Sequence, residues 1–195
     1  PRRDAASVKK QVEELLAIEQ SGQGQRLKIV TEQALSWHRE GRLAVPVDLL
    51  GLLGAKAGSA GLSELAAKCA EQLDVLAADG GLAAQQLAYV RRAAGDIDGA
   101  WQLERDMLAR RRLAIADHAR VLTELHRREG VRVAFAAGKK ALDYTAREDV
   151  LMVMIEFADE LSETDQATAW REILKRRKVK DPKEKPAAPA KLKRR

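Results

Sequence analysis

Apolar side chains recur along this chain at intervals of three and four, and the stretch 82–108 shows the pattern most plainly. A helix over 82–94 is followed by Gly95-Asp96 and a second helix, on which Ala100, Trp101, Met107 and Leu108 fall on one side. The two form a helix-turn-helix hairpin. The same signature returns at Leu65-Ala66 with Leu73, at Ala134-Phe135 with Leu142, and at Ala169-Trp170 with Ile173 and Leu174. From Leu65 to Ala100 to Ala134 to Ala169 the steps are 35, 34 and 35 residues, a period that signals stacked repeats.

Ten helices follow from the pattern. The first, 5–20, carries Val8, Val12, Leu15 and Leu16 and ends at Gly22-Gln23-Gly24; the second, 25–39, stops at Gly41. Pro46 suits the first turn of the third, 47–57, because its missing N–H has no intrahelical partner there. Gly51, Gly54 and Gly58 make that helix the weakest by local preference. The rest are expected over 60–78, 82–94, 98–112, 114–128, 131–144, 147–161 and 164–177, divided by Asp79-Gly80-Gly81, Gly95-Asp96, Glu129-Gly130 and a cap at Ser162 or Thr164. From residue 178 the composition turns to Lys, Pro and Ala, so 178–195 is expected as an extended tail.

The helix, Ala94-Gly95-Asp96 turn and second helix ending in Met107-Leu108 resemble the tetratricopeptide and pentatricopeptide superfamily of helical repeats. The resemblance is clearest in that hairpin and covers about half of the chain; the tetratricopeptide pattern of Trp, Leu-Gly, Tyr and Pro is met in no copy. It implies an all-α fold, with antiparallel hairpins over 1–177 stacked as a short right-handed α-solenoid. It also implies service as a scaffold in a large assembly. In pentatricopeptide proteins a polar residue near the start of each first helix reads RNA, and the approximate equivalents here, Gln85, Ala119 and Met154, make a poor code.

Composition agrees with helices. Aromatic residues are 4% of the chain, Ala and Leu abound, and Pro46 is the one proline between residues 2 and 181. The single cysteine, Cys69, excludes an internal disulfide framework and reads as a small buried apolar residue. It is compatible with a reducing compartment, cytoplasm or mitochondrial matrix. No apolar run has the length of a membrane span, and PRRDAASVKK is not expected to act as an intact secretory signal.

The formal charge of +6 suggests nucleic acid until it is divided. Residues 171–195 hold 12 Lys or Arg against 3 Asp or Glu, whereas residues 1–170 hold 23 against 26. The tail is therefore the basic part. Lys175, Arg176, Arg177, Lys178, Lys180, Lys191, Lys193, Arg194 and Arg195 are expected to hold RNA or DNA without sequence preference, by releasing counterions. Arg91-Arg92 and Arg127-Arg128 end corresponding first helices, and Arg110-Arg111-Arg112 ends the second helix between them. Cations there offset the negative helix end, by up to about 1 kcal/mol each. Aligned by the repeat, they would instead form a basic ridge for phosphates or an acidic protein.

Residues for chemistry do not converge. His38, His118 and His126 match no linear metal motif; His118 and His126 are eight apart on one helix, and packing or solvation is the expectation for both. Gly22-Gln23-Gly24 has no preceding strand to make it a phosphate cradle. Trp37, Trp101 and Trp170, beside Leu and Ala, read as knobs between hairpins rather than stacking platforms. No cofactor or metal is expected. The reading is a non-catalytic scaffold or adaptor subunit of a larger assembly, such as a ribosome or other ribonucleoprotein, with protein subunits as partners and RNA on the tail. The alternative is a pentatricopeptide-type RNA-binding protein in RNA processing or translation.

Overall fold

The computed structural model describes Lys10 and residues 24–40, 45–77 and 81–180, and among these every regular element is helical. The expected helix over 5–20 and the segment 181–195 lie outside the described residues. The helices bounded within the described residues are α1 Gly24–Arg39, α2 Val47–Ser59, α3 Ser63–Leu76, α4 Leu82–Ala93, α5 Ile97–Ala109, α6 His118–Glu129, α7 Val131–Leu142, α8 Glu148–Glu160 and α9 Thr164–Lys180. A short 3-10 turn, Ile115–Asp117, precedes α6. The chain divides between Asp117 and His118 into two compact units.

In the first unit α2 packs on α3 and on α4, α3 packs on α4, α4 on α5, and α1 on α2 and α3. Leu49, Leu50, Leu53, Leu73, Leu87 and Val90 fill its centre and are fully buried. Each contributes about 1.5–3 kcal/mol by leaving water. The glycines that weaken α2 by propensity explain its packing. A Cβ on Gly58 would stand 2.7 Å from the carbonyl carbon of Ala93, and one on Gly54 would stand 2.7 Å from Val90. Glycine is what lets α4 cross α2 at backbone distance.

In the second unit α6 packs on α7 and α8, α7 on α8, and α8 on α9, with Val121, Leu122, Leu151 and Met154 buried. The order of contacts repeats one in the first unit: α6 meets its partner α7 and the next opening helix α8, as α2 meets α3 and α4.

The turns carry the local explanation. Between α4 and α5, Gly95 takes φ 88°, its N–H donating to the Arg92 carbonyl and that of Asp96 to the Arg91 carbonyl. The Asp96 carboxylate then caps α5 by accepting from the Gly99 N–H at 2.9 Å. The same pair of bonds closes α2 at Gly61 and α8 at Ser162; Gly130, at φ 91°, ends α6 with a bond from its N–H to the His126 carbonyl. These four positions are 34, 35 and 32 residues apart.

Four expected boundaries move by three residues or more, and the helix expected over 114–128 moves furthest, starting at His118 because Ile115–Asp117 is a 3-10 turn. The helix expected over 60–78 begins at Ser63, because Ala60 and Gly61 form the turn that closes α2. Arg110-Arg111-Arg112 does not end α5 as helix: α5 stops at Ala109, Arg111 takes φ 57°, and the Arg112 N–H returns to the Met107 carbonyl at 2.8 Å. Residues 178–180 are helical and not extended, since the first residue disfavoured by a following proline is Asp181.

Candidate functional site

The expected binding residues that are described are distributed over both units, and Arg91, Arg92, Arg110, Arg127, Arg128 and Lys175 are engaged by neighbouring acids. In the first unit Arg92 ends α4 with its Nη2 2.5 Å from Glu104 Oε2 of α5. Glu104 is 1% exposed, and Arg92 Nε is buried without a hydrogen-bond partner. Arg92 is thereby a neutralising cation of the α4–α5 joint. Glu104 was not singled out in the sequence, although it is a carboxylate in the apolar row of Ala100, Trp101, Met107 and Leu108.

Arg91, one residue earlier, lies across the surface between α3 and α4, 3.5 Å from Asp74 and 3.9 Å from Asp96. Arg110 reaches Asp106 at 3.8 Å, and Arg111 and Arg112 are exposed in the turn after α5.

In the second unit Arg127 and Arg128 both bind Glu124, Arg127 through two nitrogens at 2.6 and 2.9 Å and Arg128 at 2.5 Å. Hydrogen bonds from Arg127 and then Arg128 hold the Glu124 carboxyl down at about 2. Lys175 pairs with Glu172 at 2.7 Å, and its hydrogen bond lowers the Glu172 carboxyl below the ordinary range. Arg177 donates to the Ala146 carbonyl, which ties α9 to the loop before α8. Arg176 is exposed, and Lys178 and Lys180 belong to the end of α9. Lys191, Lys193, Arg194 and Arg195 lie outside the described residues.

The histidines on α6 go to different partners. His118 is fully buried, with Nε2 3.0 Å from the Tyr144 hydroxyl; His126 is 3.2 Å from Glu160 and edge-on to Phe157. Among the described residues no three His, Cys, Asp or Glu side chains come together as a metal site. Cys69 is buried between α2 and α3, and burial pushes its thiol up to about 12. Trp101 is buried, whereas Trp37 and Trp170 are half-buried, the latter edge-on to Phe135 at 5.9 Å.

Among the described residues, two of the open grooves on the first unit exceed 400 Å³. One, of about 430 Å³, has a floor of Ala66, Ala67, Ala70 and Val90 from α3 and α4 and an edge of Glu71, Asp74, Arg91 and Asp96. The other, of about 420 Å³, runs between α2 and α4 beside Leu52, Ala55, Gln86 and Tyr89. The Tyr89 hydroxyl accepts from Gln85 at 2.9 Å and donates to Asp117 at 2.5 Å, which pins the 3-10 turn to α4. Among the described residues no helix is long and apolar enough to cross a membrane. Compared with family models, with curated proteins and with solved structures, the chain matches none.

Proposed function

We propose that this protein is a helical-repeat scaffold or adaptor subunit of a larger assembly, built as a short right-handed α-solenoid, whose basic C-terminal segment contacts RNA. The observation that carries the reading is the recurrence of one hairpin design, with left-handed turn residues at Gly61, Gly95, Gly130 and Ser162 and the same order of helix contacts in both units. A chain spaced in this way builds extended surface from small modules, and such surfaces serve binding. Pairing of Arg92, Arg127 and Arg128 with internal acids favours the C-terminal segment over the ridge as the RNA contact. The pentatricopeptide reading has less support, because Gln85 gives its amide N–H to Tyr89, Ala119 has no polar side chain and Met154 is fully buried.

Copurification of the tagged full-length chain from its native cell, with and without RNase, tests the scaffold. The expected result is a fixed set of protein subunits that survives RNase. Loss of every partner on RNase treatment would move the protein to the RNA-binding alternative.

A further inference from the structure

We propose that the alanine-floored groove between α3 and α4 receives the C-terminal segment, residues 181–195, of a second copy of this chain. The groove is open and holds about 430 Å³; Ala67, Ala70 and Ala94 give it an accessible apolar surface, over Ala66 and Val90, which are fully buried. Large side chains would stand proud of such a floor; alanine and proline lie flat on it. Its edge carries three carboxylates, Glu71, Asp74 and Asp96, against one cation, Arg91. Asp74 is 63% exposed and faces Arg91 through Oδ1 at 3.5 Å, which leaves its Oδ2 for another donor; Asp96 is 55% exposed, with Oδ1 on the Gly99 N–H and Oδ2 3.9 Å from Arg91.

The segment is the complement in charge and in size. It holds six Lys or Arg against two acids, and its middle, Pro186-Ala187-Ala188-Pro189-Ala190, is flanked by Lys185 and Lys191. Proline has few backbone conformations to lose, which lowers the entropy such a sequence gives up on docking. Fifteen residues beyond Lys180 reach about 50 Å when extended, enough to leave one molecule and cross a groove on the next. Each copy carries this groove and this segment, so a reciprocal exchange satisfies both with two-fold symmetry. The area is small and the edge pairs are exposed, which makes the association weak and salt-sensitive.

The test uses the full chain, RNase-treated, with a photoreactive residue at position 192 and a mixture of isotopically heavy and light copies. Mass spectrometry is expected to find crosslinks between heavy and light chains that map to residues 63–96. Glu71→Gln with Asp74→Asn should lower their yield about fivefold, as should raised salt. Lys191→Glu with Lys193→Glu should abolish them, and adding Glu71→Lys and Asp74→Lys should bring them back. Crosslinks confined to one copy, crosslinks elsewhere, or a yield indifferent to both pairs of substitutions would overturn the proposal. Because RNA is absent, failure here leaves the tail's proposed role with RNA standing.

Discussion

Arg92 and Arg91 are neighbours with opposite fates, and the difference is set by which acid each one meets. The Arg92 partner, Glu104, is sealed from water, so its charge costs several kcal/mol unless a cation is at hand. Arg92→Met is expected to destabilise the first unit by about 3 kcal/mol, near the lower end for breaking a buried pair because water reaches part of Arg92. The loss would show as a lower urea midpoint, and Arg92→Met with Glu104→Leu should recover most of it. Glu124 gives a pH signature instead. Its carboxyl falls from 4.5 to about 2 in the folded chain, so the stabilisation is fully present above about pH 4.5 and fades as pH falls through about 2. Measured against Glu124→Gln, the stability advantage of the natural chain should be constant from pH 5 to 7 and largely gone near pH 2; an advantage unchanged at pH 2 would contradict the pairing.

At the scale of elements, helix ends were more legible than helix contacts. Gly95-Asp96 announces both the left-handed step and the cap, since only backbone geometry and one carboxylate are needed. Two comparable turns carry no glycine: Arg111 at φ 57° and Ser162 at φ 61° occupy the conformation that costs an L-residue about 1–2 kcal/mol. Arg111→Gly and Ser162→Gly are therefore each expected to stabilise the chain by about 0.5–1 kcal/mol, after the greater entropy of unfolded glycine is subtracted. Thermal unfolding checks this, and a lower midpoint in both variants would refute the turn geometry. The absence of glycine at 111 is why the arginine triplet reads as helix in the sequence. Gly51, Gly54 and Gly58 mislead in the opposite direction: they look like weakness in α2 until α4 is laid against them.

For the molecule as a whole, affinity for polyanions should follow charge that is not already spent. Among the arginines of the expected ridge, Arg92, Arg127 and Arg128 hold internal acids, while 181–195 carries a net +4. Deleting 181–195 is expected to lower both the affinity for random RNA and the slope of log K against log salt, by more than Arg91→Gln with Arg110→Gln does. A steeper loss in the arginine variant, with helicity retained, would return the contact to the ridge. Helix number, most helix ends and the spacing of hairpins over 24–180 were determined by the sequence by itself, because they rest on interactions within a few residues: apolar periodicity, glycine at a turn, proline after an end. Which arginine neutralises a buried acid, why α2 tolerates its glycines, and which alanines floor a groove were decided only by tertiary structure. Those outcomes depend on pairs such as Arg92 with Glu104 and Gly58 with Ala93, which meet through packing between helices that no local pattern encodes.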